Sequence, residues 1–363
     1  NFNNDIGVPL TLLRLSQHDD FAVIEMGANH LGEIAYTTEL VKPDIAIINN
    51  IAAAHLEGFG DLCGVAKAKG EIFTGLVQNG IALYSKESKY ASKWQWRLAD
   101  KQVHTFSCHH SVNADVSSHN VSLDQHGCAH FDLHTNIGQC AITLPIPGKH
   151  NVCNAVAASA AAIECGASLR DIRLGLAGMD MVKGRLNIHQ LSENLTLIDD
   201  TYNANVDSIK AAIALLANYS GQRILVLGDM AELGQDAHRY HQEVGEYAKE
   251  QGINVLYTLG LLSQNTHDAF ALKNSAISEH FSDRSELSTQ LLLLIEAQTQ
   301  KNHCQILVKG SRSAYMESVV EDVISWHTNQ YKNQHQNQYQ NNNDNQSQLI
   351  TSHLLPLIKQ DTP

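Results

Sequence analysis

The sequence predicts an α/β protein of two doubly wound domains, and three observations carry that prediction. Its 363 residues exceed one ordinary domain and suit two of typical size. Short apolar runs alternate with amphipathic or alanine-rich stretches along most of the chain, as expected of successive βα units with right-handed parallel pairing. Many of those runs end in Gly, Asn or Asp turns that open a helix, the place where open sheets bind ligands.

Taken in order, polar NFNND precedes Ile6-Gly7-Val8-Pro9 and an amphipathic helix over Leu10–Leu15. Ala22-Val23-Ile24 reads as a strand that ends at Glu25, and Gly32–Val41 as a helix that Pro43 stops. The run Ile45–Ile48 reads as a second strand, leading to Asn50 and His55; a small-residue helix then carries Lys67 and Lys69 and ends at Glu71. Ile81–Tyr84 is a further strand. Between 101 and 146, alternating runs such as Val116–Leu123 and His130–Leu133, broken by Gly127 and Gly138, predict antiparallel hairpins.

At Gly148-Lys149-His150-Asn151 an alanine-rich helix begins that also carries Asn154. Amides and carboxamides at such a start suit an anion or a nucleotide base, though an ordinary capped helix reads equally well. A helix at 168–177 precedes a boundary near Lys183-Gly184-Arg185. Beyond it, the strands Leu195–Ile198, Ile224–Leu227, Val255–Thr258 and Ile306–Val308 predict a second parallel sheet. A last helix runs through Ile324, and from 329 to 348 Asn and Gln fill 14 of 20 positions, a composition too polar to fold. Leu349–Ile358 beyond it is a short docking helix at most.

The formal charge of −13 argues against nucleic acid or an anionic membrane face as a partner, so an anionic substrate needs a local cationic site. No apolar run is long enough to cross a bilayer and no secretory signal pattern opens the chain, which predicts a cytoplasmic location. Seven cysteines without C-x-x-C support neither a zinc ribbon nor a full disulfide framework. Cys108-His109-His110 lacks a second pair at finger spacing, which weighs against a metal there.

A nucleophile elbow, a G-x-G-x-x-G fingerprint and a Walker A motif are all absent from the 363 residues. Even so, Glu25 offers a hard oxygen at one strand end, while Lys309 and Arg312 offer charge for an anion at another. Glu25 equally suits a helix N-terminus, and a lone strand-end His55 equally suits a structural hydrogen bond.

EMGANHLGEI, NNIAAAHLEGFG, AKAKGEIF, PGKHNVCNAVAA, DDTYNANVDS, LGDMAELG and VKGSRS, in that order, resemble the Mur ligase family from residue 1 to about 326. The resemblance implies a central ATP-binding domain, a parallel sheet with a small antiparallel extension, over 1–183, and a Rossmann-like ligase domain over 184–327. Residues 328–363 remain as a disordered tail. Its uridine-binding domain and G-x-x-G-K-[ST] phosphate loop are missing here, which predicts an N-terminal truncation and no ATP turnover by the polypeptide as written.

The implied reaction is ATP-dependent amide ligation, in which the carboxylate of UDP-N-acetylmuramoyl-tripeptide becomes an acyl phosphate and the D-alanyl-D-alanine amine displaces phosphate. ATP and two Mg²⁺ ions are the implied cofactors, and a monomer the implied state. By the same resemblance, Glu25 and His55 hold magnesium. Lys69, or Lys67 one register away, is the carbamylated lysine that holds a second ion. His150, Asn151 and Asn154 meet adenine, Asp200 the ribose, and Arg185 the phosphates. Lys309, Ser311 and Arg312 hold peptide carboxylates; Asp229 and Glu232 orient the incoming amine or simply cap a turn. Folylpolyglutamate synthase or a sibling amide ligase, and an inactive binding module, are the alternatives.

Overall fold

The described residues build two six-stranded sheets that share no strand. This is a computed structural model; it describes every residue except 1, 110–112, 126, 273–275, 300–301, 331 and 333–363. In the first sheet, β1 (Ile45–Ile48), β2 (Ile81–Ser85), β3 (Gln102–Ser107) and β4 (Val116–Leu123) pair parallel, in chain order. β5 (Cys128–Thr135) and β6 (Gly138–Pro147) then continue it antiparallel. The hairpins expected over 101–146 are therefore the last two pairings of one mixed sheet, and β3 belongs to its parallel part.

Helices α1 (Gly7–Leu12) and α2 (Glu33–Val41) precede β1. The strand expected at Ala22-Val23-Ile24 does not form: residues 21–28 are irregular, and Val23 is 96% exposed. A strand must pair its backbone N–H and C=O groups, and β1, at the sheet edge, pairs only with β2. Between β1 and β2 lie α3 (Leu56–Phe59) and α4 (Leu62–Lys69); Asp61 caps α4 by accepting from the Gly64 amide at 2.8 Å. Behind α4, Trp94 is wholly buried, and its Nε1 donates to the Ala66 carbonyl at 2.9 Å. Gly70 packs so tightly on that indole that a Cβ would lie 2.4 Å from it.

On the other face sits α5 (His150–Glu164). Its Ala155, Ala157 and Ala160 let the helix backbone approach Leu83, Phe106, Leu133 and Leu144 closely, and α6 (Leu169–Ala177) completes this core with Ile172 and Leu176.

The chain then crosses at 178–186 to the second sheet, whose order is β11-β10-β9-β12-β8-β7. Its strands are β7 (Asn187–Ser192), β8 (Leu195–Asp200), β9 (Gln222–Gly228), β10 (Val255–Leu259), β11 (Ile277–Phe281) and β12 (Cys304–Lys309). Only β7 runs antiparallel. Cores cover both faces, so every residue of β8 and β12 is buried, including the polar Asp199, Asp200 and Lys309 at their C-terminal ends. The covering helices are α7 (Val206–Ala217), α8 (Ala237–Glu250), α9 (Gln264–Ala271), α10 (Arg284–Thr299) and a terminal helix at 317–330. That last helix takes in 328–330, the expected start of the tail; the rest of the Asn/Gln-rich stretch and Leu349–Ile358 fall outside the described residues, Lys332 apart. Among the described residues, no helix is long and apolar enough to cross a membrane.

Candidate functional site

Strand ends from both sheets face one cleft of about 1170 Å³. The end of β1 contributes Asn49, Asn50 and His55, and the irregular 21–28 segment adds Glu25; the second sheet contributes Asp200 and Lys309. α5 and the 178–186 crossing close its sides with His150, Asn154 and Arg185.

At the β1 end, His55 has a left-handed φ of 54° and turns its ring toward the second domain, where Nδ1 lies 2.5 Å from Glu232 Oε2. The Glu57 amide donates to the Glu232 carbonyl at 3.2 Å, so one backbone hydrogen bond and the close His55–Glu232 approach join the β1–α3 turn to the loop after β9. Glu25 lines the same region and accepts from Asn3 Nδ2 at 2.9 Å. Lys69, on the last turn of α4, donates from Nζ to the Asn50 carbonyl at 3.0 Å. Burial pushes its amine below the usual lysine range, whereas Lys67, two residues earlier and on the opposite face, is exposed.

The start of α5 is a chain of carboxamides. Asn49 Nδ2 donates to Asn154 Oδ1 at 2.8 Å, Asn154 Nδ2 donates to Asn151 Oδ1 at 3.0 Å, and Asn151 Nδ2 donates to the Pro147 carbonyl at 2.7 Å. Each amide is thereby oriented, and Asn154 keeps one N–H and one lone pair for a ligand. His150 opens to the cleft; desolvation, then the Lys309 charge, holds its imidazole below the usual range.

On the second domain, the parallel register places Lys309 opposite Asp200. Lys309 Nζ lies 2.7 Å from Asp200 Oδ2 and donates to the Asn203 carbonyl at 2.8 Å. Expected with Ser311 and Arg312 at a carboxylate site, Lys309 is only 3% exposed and sits against Asp200 at the cleft floor. Burial raises the Asp200 carboxyl against the pull of Lys309 and lowers the Lys309 amine against the pull of Asp200. Desolvation thus outweighs attraction in both partners. Arg185 holds its guanidinium 4.5 Å from the Tyr202 ring centroid, at the cleft rim.

The remaining expected residues lie outside the cleft lining. Asp229 accepts from the Leu261, Leu262 and Ser263 amides, at 3.0, 3.1 and 2.7 Å, ahead of α9, which is the arrangement of a capped turn. Buried Ser311 accepts the Ala231 amide at 2.7 Å, and Arg312 is largely exposed, 3.1 Å from Glu317. Sequence reasoning missed Asn49 and Tyr202, which gain their roles only from tertiary neighbours. It also missed a bond between Cys108 and Cys153, which joins the end of β3 to α5 in the cleft wall. These residues are 45 apart in sequence, too far for local spacing to reveal them.

Two domains whose strand ends share a cleft lined with oxygen, imidazole and cationic groups suit a nucleotide and its phosphates. Residues 1–162 match the Mur ligase middle domain, and residues 184–312 match the Mur ligase, glutamate ligase domain. Over 320 residues the chain is 49% identical to a protein of Escherichia coli (strain K12), covering 88% of this chain and 69% of that one; it belongs to the Mur ligase family. That relative is UDP-N-acetylmuramoyl-tripeptide–D-alanyl-D-alanine ligase. A protein of the same name from Haemophilus influenzae is 47% identical, over 88% of this chain and 68% of its own. The crystal structure of MurF from Acinetobacter baumannii superposes with a TM-score of 0.82 at 35% identity, over 90% of this chain and 69% of that one.

Proposed function

We propose that this chain carries the machinery for ATP-driven ligation of D-alanyl-D-alanine to UDP-N-acetylmuramoyl-tripeptide, a step of peptidoglycan precursor synthesis. The observation that supports this most is the shared cleft: Asn154, His55 and Glu25 reach it from one domain, Arg185 and Asp200 from the other. A site split in this way is complete only when the domains meet, which couples closure to substrate binding.

In this reading, Asn154 offers its free N–H and lone pair to the adenine edge, held in place by Asn49 and Asn151. Asp200 accepts from the ribose while Lys309 fixes its orientation from beneath. Arg185 swings over Tyr202 toward the phosphates. The tripeptide carboxylate attacks the γ-phosphorus of ATP, ADP leaves with the broken P–O bond electrons, and an acyl phosphate forms; the dipeptide amine then attacks the acyl carbon, gives up a proton to solvent, and phosphate leaves with the C–O bond electrons. Arg312, on the turn after β12, binds the dipeptide carboxylate and Glu232 orients its amine, while Asp229 and Ser311 stay committed to the amides of 261–263 and Ala231 and hold that turn in shape.

Magnesium would supply charge neutralisation at the phosphates: the hard oxygen of Glu25 suits it, and His55 would hold the other side of the ion through its imidazole, the less typical ligand of the two. An ammonium at Lys69 would repel a second ion. Its buried, depressed amine is, however, the form that adds carbon dioxide: a new N–C bond forms, an N–H proton leaves, and two carbamate oxygens replace the positive charge.

The test offers D-alanyl-D-alanine, glutamate or diaminopimelate as acceptor and identifies the amide product by mass spectrometry. It is run on the 363-residue chain and on the chain joined to a phosphate-loop segment from the E. coli relative. Product from D-alanyl-D-alanine alone, with the joined protein alone, is expected. Product from glutamate or diaminopimelate would assign a sibling ligase. Substrate-stimulated phosphate release by the 363 residues alone would refute the need for the phosphate loop.

A further inference from the structure

One group of side chains in the cleft wall has no part in the ligation chemistry above. Glu87, Cys108 and His109 bring a carboxylate oxygen, a sulfur and an imidazole nitrogen within 4.8 Å of one another, and Cys153 reaches the same sulfur from α5. We propose that reduced Cys108 and Cys153, together with His109 and Glu87, form a binding site for a thiophilic divalent cation of the zinc class, and that the disulfide closes this site.

Two thiolates, one imidazole and one carboxylate make a four-ligand set of the kind that holds zinc tetrahedrally, and they disfavour magnesium, which takes oxygen ligands. Around zinc the two sulfurs stand about 3.8 Å apart, from Zn–S bonds of about 2.3 Å, so the cysteine rotamers must separate once the S–S bond is gone. The Cα atoms are 4.9 Å apart, a spacing that lets both side chains reach a shared ion. Glu87 is already oriented: Ser85 Oγ donates to its Oε2 at 2.7 Å, and Ser107 Oγ donates to its Oε1. Such supporting hydrogen bonds are what fix a ligating carboxylate. The same Ser107 Oγ accepts the His109 amide at 3.0 Å, tying the two donors to one hydroxyl.

Metal and disulfide exclude each other because they use the same two sulfurs. A small-molecule disulfide such as oxidised glutathione completes the exchange. The two protein thiolates give up two electrons to form Cys108–Cys153, the oxidant's S–S bond takes those electrons with two protons and leaves as two thiols, and the cation departs. The site lies one residue from Asn154 on α5, so its occupancy ties β3 to the carboxamide chain.

The experiment uses the whole 363-residue chain, reduced with a phosphine, stripped of metal and titrated with Co²⁺ in excess Mg²⁺. The sulfur-to-cobalt charge-transfer band reports thiolate ligation directly and is blind to an ion held by Glu25 and His55. One equivalent with that band is expected, displaced by Zn²⁺ and lost on oxidation with glutathione disulfide. Cys108→Ser and Cys153→Ser should each weaken Zn²⁺ binding at least about a hundredfold, and Glu87→Gln about tenfold, the span that losing supporting groups already reaches. Cys165→Ser, an exposed free cysteine, should change nothing. A charge-transfer band that survives Cys108→Ser would overturn the proposal. So would its absence from fully reduced wild type, in which a thiol count shows the disulfide open; that readout needs no variant to fold.

Discussion

Removal of the Lys309 charge is the sharpest probe of the cleft floor. In Lys309→Met the Asp200 carboxylate, 8% exposed, loses its 2.7 Å partner and keeps the Leu186 amide at 3.2 Å. Stranding one charge of a buried pair costs about 3–5 kcal/mol, whereas replacing both partners with neutral groups is often nearly neutral. Asp200 can escape by protonating, since burial already raises its carboxyl above the usual range. That escape costs about 1.4 kcal/mol for each pH unit above the unfolded value of about 3.9, about 4 kcal/mol at neutral pH, so the loss there stays within the same range. The sign follows: a carboxyl raised by folding penalises the fold above its folded pKa, and the penalty shrinks as pH falls through that value toward about 3.9. Asp200→Asn behaves oppositely, because the Lys309 amine, lowered by burial, penalises the fold more as pH falls. Urea unfolding across pH, followed by circular dichroism, measures both slopes. Lys309→Met/Asp200→Asn should recover about 2 kcal/mol of the summed single losses, within the usual coupling of touching residues. Additive losses, or slopes of the same sign, would refute the pairing.

Three further outcomes are expected. Gly70→Ala drives a Cβ into buried Trp94 and should cost about 1–3 kcal/mol in the same unfolding assay, displacing Lys69 with it. With isotopically labelled carbon dioxide, wild type and Lys67→Arg should show a carbamate carbon resonance that Lys69→Arg lacks; a signal that follows Lys67 instead would reassign the modification. Glu232→Gln removes a partner of His55 at a half-open latch, so it should change stability by less than about 1 kcal/mol. Its effect should appear as a larger radius of gyration in small-angle scattering, and an unchanged radius would show that the latch does not hold the domains.

The four inner strands of the second sheet were readable because cores cover both of its faces: β9 and β10 are nearly continuously apolar, and β8 and β12 present Leu197-Ile198 and Ile306-Leu307-Val308 before their polar ends. β7 and β11, the two edge strands, escaped notice: NIHQLS and ISEHF mix polar and apolar residues, and Ile277 is left half exposed, so their composition resembles loops. Ala22-Val23-Ile24 failed for the converse reason, being apolar enough for a strand but without a ladder to join. At the site, His55 and the asparagines that open α5 stood out beside turn signals, whereas the role of Asp200 came only through the family resemblance. The Lys309–Asp200 pair did not, because strand register, 109 residues apart in sequence, creates it. The same holds for Cys108 and Cys153.

The central claim is that one nucleotide is held by residues from both domains. Calorimetric titration of the 363-residue chain with Mg-ATP tests it most directly, using Asn154→Ala from the first domain and Arg185→Ala from the second. One site per chain is predicted, weakened roughly tenfold or more by either substitution, as loss of a charge-assisted or oriented hydrogen bond of about 1.5 kcal/mol would do. Binding that either variant leaves unchanged would contradict a site shared across the cleft.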